Sequence, residues 1–154
     1  MRDVRRAGAE GAVPMPTRSI EASGAIRTRV RYCECDPMGV AHHGSYVPWM
    51  EMARTELLRT GGVSYAQLET AGVFLVVAKL GVVYRRPILY DDVVEVACRV
   101  VGSGRVKIDH TYEIGVVERG GAACVETAAT ATTTLACVDR EGRVMPLPDW
   151  LVAR

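Results

Sequence analysis

The sequence predicts an α+β fold in which a curled five-stranded antiparallel sheet wraps around one long central helix. Three observations predict it: an alternating segment at residues 25–32, a stretch of helical period that begins at Tyr46, and four strand-like segments after residue 72. One helix of about four turns can cover a sheet of this size only if the sheet curls around it.

Composition indicates a single soluble globular domain. The chain has 154 residues, of which 49% are hydrophobic and 24% are charged, and these are ordinary values for such a domain. The 19 Lys and Arg residues nearly balance the 18 Asp and Glu residues, so we expect no nucleic-acid partner. The longest apolar run, residues 73–78, is too short to span a membrane. We expect residues 1–24 to form a flexible tail and residues 25–154 to form the domain.

The first two elements follow from a change of period. Alternation through Ile26, Thr28 and Val30 predicts a strand that ends with Tyr32 on its inward face. Ser45 is a candidate helix N-cap, and glycines at 61 and 62 end the helix. Arg54 lies off the apolar stripe of this helix. The stripe comprises Tyr46, Trp49, Met50, Ala53 and Leu57.

The rest of the chain alternates as strands after a short helical turn at residues 64–70. Residues 73–84 are apolar on both faces, which predicts that both faces are covered. The four strands are expected to be joined by hairpins, and the small residues of the last strand let a helix approach closely. His110 shares the inward face of its strand with Ile108 and is expected to be a hydrogen-bonded core histidine. One face of the sheet has no helix, so we expect a homo-oligomer, formed through an exposed face or edge.

The cysteines and histidines do not predict a metal site. None of the five cysteines forms a C-x-x-C pair, and Cys33 and Cys35 lack a second pair at zinc-finger spacing. A three-histidine site would require every histidine in the chain, including the remote His110. We therefore expect no metal, buried thiols in a reducing compartment and, in the absence of an export signal, a cytoplasmic protein.

Polar chemistry is concentrated in residues 32–46, which hold a carboxylate, two imidazoles and two phenols within a glycine-containing loop. Asp36 could act as a nucleophile or a general base beside the free N–H groups of a helix start, which would stabilise an oxyanion. The alternative is an ordinary Asp-Pro turn with exposed histidines and Tyr46 in the core. The spacing leaves both interpretations open.

The same segment resembles the hotdog-fold acyl-CoA thioesterases of the 4-hydroxybenzoyl-CoA thioesterase family, most closely the subgroup associated with the Tol–Pal system. The resemblance covers about 125 residues, with Ser45 where the family usually has Asn and His42 where it usually has an aromatic residue. The matching positions are Tyr32, Asp36, Gly39, Val40, His43 and Tyr46, followed by Glu51, Ala53, Arg54, Glu56, Leu58 and Arg59 on the helix and by Val82, Tyr84, Pro87, Asp91 and Asp92 downstream.

This resemblance implies a role for each matching residue. Asp36 would be the catalytic carboxylate, the backbone N–H of His43 would bind the oxyanion, and Tyr32 would orient Asp36 or the thioester. Another branch of hotdog thioesterases has its catalytic carboxylate at the position of Glu51; the alternative is that Glu51 is a solvated residue that pairs with Arg54 or Thr55. The implied substrate contacts are Gly39, Val40, His42 and Tyr46, with Arg105 and Lys107 as the preferred contacts for the phosphates of CoA.

The resemblance also implies a reaction. We expect an acyl-CoA thioesterase that releases a carboxylic acid and free CoA without a metal or redox cofactor, as a dimer or a dimer of dimers. Two alternatives remain open: a thioesterase acting on acyl-carrier protein, and a non-catalytic acyl-binding protein of the same fold.

Overall fold

The part of the chain that the structure describes contains five strands and two α-helices. The computed structural model describes residues 12–18 and 20–152. The elements, in chain order, are β1 Ser23–Arg29, α1 Tyr46–Thr60, α2 Tyr65–Thr70, β2 Phe74–Tyr84, β3 Val93–Ser103, β4 Lys107–Arg119 and β5 Ala122–Val138. Three short 3₁₀ turns lie at Tyr32–Glu34, His43–Ser45 and Asp149–Leu151. The predicted α+β architecture, one long helix with a five-stranded antiparallel sheet, is confirmed.

The strand order differs from the predicted succession of hairpins. The order is β1-β3-β4-β5-β2, and every neighbouring pair is antiparallel. β3, β4 and β5 are joined by hairpins as expected, but β2 and β3 are not neighbours. Their connection, residues 85–92, is longer than the common hairpin loops of about two to five residues. The expectation of a hairpin here was wrong, because this segment carries the chain from the edge strand β2 to β3, which lies between β1 and β4.

The core lies between α1 and the inward face of the sheet. Trp49 and Met50 of α1 are completely buried, and β1 approaches so closely that a Cβ on Gly24 would lie 3.2 Å from Cδ1 of Leu57. Three of the six alanines of β5, among them Ala131, belong to the same cluster. Other fully buried members are Ile88, Val94, Val96, Ile114, Val116, Ala128 and Ala129.

Two polar residues are buried where the sequence predicted otherwise. Arg54 is only 7% exposed, and Nη2 of its guanidinium donates to Glu51 Oε2 at 3.2 Å. The expectation that Arg54 lies outside the packed stripe was wrong. Glu51 is exposed and pairs with Arg54, as the alternative for this residue predicted. His110 is buried as expected, but its Nδ1 has no hydrogen-bond partner within the described part of the chain.

β2 is an edge strand, which overturns the prediction that both its faces are covered within the chain. It pairs only with β5, so its other edge has no partner among the described residues. Apolar side chains remain exposed along the strand because of this position. They are Val76, Val77, Leu80 and Val83, each 39–54% exposed.

Part of the predicted tail packs on the domain. The N–H of Thr17 donates to Gly61 O at 2.8 Å, Ile20 packs against the core cluster that includes Leu58, and β1 begins at Ser23. The remainder of the predicted tail, residues 1–11 and 19, lies outside the described residues. Within residues 12–18 and 20–152, none of the helices is long and apolar enough to cross a membrane.

Candidate active site

A tight turn holds Asp36 in place at the end of the sheet where β2 finishes. The N–H of Asp36 donates to Val40 O, and the N–H of Gly39 donates back to Asp36 O, both at 2.9 Å. Gly39 has a φ of +77°, a conformation that favours glycine. Beyond the turn, the N–H of Ala41 donates to Ile88 O at 2.7 Å. The loop is therefore fixed both within itself and to the segment that follows β2.

The Asp36 carboxylate has one occupied and one available oxygen. Oδ1 accepts the N–H of Met38 at 2.9 Å, and no hydrogen bond to Oδ2 is found among the residues that the structure describes. The side chain is half-buried. A carboxylate oriented by one backbone donor, with its second oxygen available, can attack a carbonyl or take a proton from water.

The start of α1 is built differently from the prediction. The 3₁₀ turn His43–Ser45 precedes the helix, and Ser45 does not cap it, because its hydroxyl donates to Glu34 O at 2.8 Å. Nδ1 of His42 instead accepts the N–H of Gly44 at 3.1 Å. Within the described chain the N–H of His43 has no hydrogen-bond partner, so it can donate to a developing oxyanion.

A cleft of about 370 Å³ contains Asp36 and His43 together. Val40 and Tyr46 also line it, so the structure brings four of the predicted site residues to one place. A volume of this size can hold a small acyl or thioester group. The other lining residues are Met38, Ala41, Tyr84, Arg85, Arg86 and Pro87.

Two tyrosines form the wall of this cleft. Burial, with a contribution from Tyr84, raises the pKa of Tyr46 to about 12, so the Tyr46 phenol stays neutral near pH 7. The two rings meet edge to face with centroids 4.9 Å apart. The Tyr84 hydroxyl donates to His43 O at 2.8 Å and thereby fixes the peptide that links His43 to Gly44. Sequence reasoning assigned no site role to Tyr84, although its position at the end of β2 was within the matching segment.

Of the predicted site residues in the segment 32–46, three do not line the cleft. Tyr32 is 82% exposed in the 3₁₀ turn after β1 and contacts Tyr90, so its predicted position on the inward face of a strand was wrong. Gly39 shapes the turn without lining the cleft. The His42 ring lies 3.9 Å from that of His43 and supports the helix start through Nδ1.

The predicted phosphate contacts lie at the opposite end of the sheet. Lys107 pairs with Ala136, which pairs with Val76, whereas the cleft begins at Tyr84. Eight positions along a strand correspond to about 27 Å, so Lys107 and its neighbour Arg105 do not reach the cleft of their own protomer. Arg85 and Arg86 are the arginines among the residues that line the cleft, and Nη1 of Arg86 donates to Glu126 Oε1 at 3.1 Å.

The donor set of the site contains no arrangement suited to a metal ion. Among residues 12–18 and 20–152, no group of three or more His, Cys, Asp or Glu side chains could hold a metal ion. The polar side chains that line the cleft are instead one carboxylate, one imidazole, two phenols and two guanidinium groups.

Fold and site together define a hotdog-type domain in which one cleft is lined by a carboxylate, Asp36, and by His43 of the turn before the long helix. Residues 30–154 match the family model described as the thioesterase-like superfamily. The chain belongs to this superfamily.

Individual relatives agree with this assignment. YneP of Bacillus subtilis is 32% identical over 130 residues, which span 80% of this chain and 89% of that protein. The structure of a DHNA-CoA thioesterase from Staphylococcus aureus has a TM-score of 0.71 and 33% identity, with 81% of this chain and 79% of that chain covered. A thioesterase from Thermus thermophilus, solved with coenzyme A and Zn, has a TM-score of 0.67 and 31% identity over 82% of this chain and 87% of that one.

Proposed function

We propose that the protein is an acyl-CoA thioesterase that hydrolyses R–CO–S–CoA to a carboxylic acid and free CoA, with Asp36 as its catalytic carboxylate. One observation carries the proposal: Asp36, with an available oxygen, and the His43 turn, with an unpaired N–H, line the same cleft. The two similar structures described as thioesterases support thioesters of CoA as the substrate class. We also propose that the protein belongs to the Tol–Pal-associated subgroup, because the motif from Tyr32 to Leu58 resembles that subgroup.

The chemistry follows from what each side chain can do. The thioester carbonyl lies between Asp36 and His43, and either the carboxylate attacks the carbonyl carbon or it removes a proton from an attacking water. Negative charge then builds on the carbonyl oxygen, where the N–H of His43 donates to it. The C–S bond breaks and CoA leaves as a thiolate, which needs little help from a general acid. Arg85 and Arg86 can pair with phosphate oxygens at the mouth of the cleft.

We propose a homodimer formed through the free edge of β2. This edge combines unpaired backbone groups with exposed Val77 and Leu80, a combination that soluble proteins normally cover. A twofold axis near the middle of β2 pairs the two strands antiparallel. The partner's Val76 end then lies beside this protomer's Tyr84 end, which brings the partner's Arg105 and Lys107 toward the cleft as contacts for CoA phosphates.

The dimer is tested by placing a charge on the edge. Leu80→Lys replaces an exposed apolar side chain by a second positive charge next to Lys79 in the middle of β2. The added charges of the two strands repel across the twofold axis, so sedimentation velocity should report half the mass of the wild type. Lys107→Gln is the control, because it leaves the edge unchanged and should keep the wild-type mass. An unchanged mass for Leu80→Lys contradicts pairing through β2.

The function is tested with a panel of short, long and aromatic acyl-CoA esters, followed by the release of thiol. We expect turnover of at least one class. Turnover of acyl-carrier-protein esters alone identifies the carrier protein as the substrate. Thermal stabilisation by acyl-CoA without thiol release identifies a binding protein and contradicts the proposal.

A single turnover in ¹⁸O-water distinguishes the two routes through Asp36. Label enters the Asp36 carboxylate only if an enzyme-bound anhydride forms and is hydrolysed, whereas direct attack by water places the label in the product acid.

We further propose a cytoplasmic location, which the free thiols of buried Cys98 and Cys137 support.

A further inference from the structure

A second carboxylate, Glu34, is buried two residues before Asp36. It is only 7% exposed, and a buried carboxylate requires several donors to offset its desolvation. Oε2 accepts the N–H of Arg31 at 2.8 Å, and Oε1 accepts both Arg31 Nη2 at 2.8 Å and the indole N–H of Trp49 at 3.0 Å. Burial alone would raise the pKa of Glu34, but the hydrogen bonds from Arg31 and Trp49 outweigh it and hold this pKa below its ordinary value.

The main chain of Glu34 closes the loop that carries the site. Its carbonyl oxygen accepts the N–H of His42 and the hydroxyl of Ser45, both at 2.8 Å. Glu34 thus connects three parts of the domain. It binds Arg31 just after the first strand, Trp49 on the buried face of α1, and the turn that contains His43. Asp36 lies inside the loop closed by these bonds, so its position relative to His43 depends on Glu34.

From this geometry we propose that Glu34 is a positioning residue, which sets the distance between the Asp36 carboxylate and the His43 N–H without touching substrate. The inference rests on the proposed hydrolase function. Its consequence is specific: loss of the Glu34 charge misplaces the reacting groups and slows the chemical step, while the surfaces that bind the acyl-CoA remain.

The test uses the acyl-CoA ester that the wild type hydrolyses fastest. Glu34→Gln preserves side-chain volume but places an amide in the position of a carboxylate oxygen beside Arg31. We expect kcat to fall about tenfold to a hundredfold, as expected for misplaced reacting groups, with KM within twofold. Trp49→Phe removes the indole donor and part of a completely buried ring that packs against Tyr46. It should lower both kcat and the melting temperature, and a fall in kcat measured well below that melting temperature provides a second test if Glu34→Gln does not fold.

Asp139→Asn is the matched control. Asp139 also anchors a loop, by accepting the N–H groups of Glu141 and Arg143 and the Nε–H of Arg143, but it lies beyond β5 at the end of the sheet away from Tyr84. Its variant should keep the wild-type kcat even if its melting temperature falls.

The outcomes distinguish a failure of the proposed hydrolase function from a failure of the proposed role of Glu34. A wild type that releases no thiol overturns the proposed function and this role of Glu34 with it. An active wild type beside Glu34→Gln with unchanged kcat overturns only the role of Glu34. A loss of kcat in Glu34→Gln that disappears well below the melting temperature of the variant also overturns it, because that loss would come from unfolding.

Discussion

Asp36 and Asp92 are two aspartates of this domain with opposite environments. Asp92 is 1% exposed, and its carboxylate accepts Nε and Nη2 of Arg119 at 3.0 and 2.7 Å and the N–H of Leu89 at 2.8 Å. Asp36 is half-buried, accepts the single N–H of Met38, and lines a cleft. The first carboxylate has its acceptor sites filled by the protein, whereas the second keeps acceptor capacity for a substrate or water.

Because of this difference, we expect Asp92 to contribute to the stability of the fold and Asp36 to contribute to the reaction. A buried carboxylate with an arginine partner is costly to disrupt, because its loss leaves an uncompensated charge. A carboxylate with an available oxygen contributes less to folding and can react. Variants at the two positions should therefore have opposite effects on activity and on stability.

The largest effect is expected for Asp36→Asn. The amide can neither attack the thioester nor accept a proton from water, so kcat should fall about a thousandfold. The melting temperature should stay within a few degrees of that of the wild type, measured by circular dichroism. Hydrolysis near the wild-type rate would remove Asp36 from the mechanism.

Asp92→Asn should have the opposite profile. It removes the carboxylate that lies 2.7 Å from Arg119, while Glu126 remains 3.6 Å from the same guanidinium. It should lower the free energy of unfolding by about 2 kcal/mol, measured by urea denaturation. Its kcat, assayed where the variant is folded, should stay within a few-fold of the wild type. The comparison fails if Asp92→Asn loses as much kcat as Asp36→Asn.

His110 adds a pH dependence to stability that neither aspartate explains. Burial, with a contribution from the charge of Arg54, lowers its pKa to about 4, below the value of about 6.5 for an unfolded chain. The unfolded state then binds more protons between these values, so stability should fall by roughly 2 kcal/mol as the pH falls from 6.5 toward 4. His110→Phe should flatten this part of the profile relative to the wild type, and parallel profiles would contradict the account.

Tyr84→Phe should have the smallest effect. It removes the hydroxyl that donates to His43 O, a contribution of about 1 kcal/mol, so kcat should fall about fivefold with little change in stability. Tyr90→Phe, at an exposed ring that contacts Tyr32, is the control and should leave kcat unchanged. Equal kcat values for the two variants would show that the Tyr84 bond does not support the site.

Local patterns were enough to predict the elements and part of the cleft. The period-2 alternation of β3 and β4 and the stripe of α1 are properties of short segments, and the structure contains all three elements. Asp36, Val40, His43 and Tyr46 lie within one short loop and the helix start that follows it. Their proximity in sequence therefore predicted their proximity in space.

Contacts between distant segments were not predictable in this way. The position of β2 at an edge depends on which strands pair, and no local pattern encodes this. Arg54 is buried because residues beyond α1, such as Tyr65, pack near it. Tyr32 lies in a turn and not in the strand, because Glu34 accepts the N–H of Arg31 and the chain changes direction there. Only the three-residue spacing of Arg31 and Glu34 offered a local signal of that bond.

The central claim concerns a single carboxylate and is tested most directly under single-turnover conditions, with enzyme in excess over an acyl-CoA ester and thiol release followed after mixing. The account predicts that wild type and Asp92→Asn release one equivalent of thiol rapidly, whereas Asp36→Asn binds the ester and leaves it intact over the same time. Rapid release of a full equivalent by Asp36→Asn would contradict it.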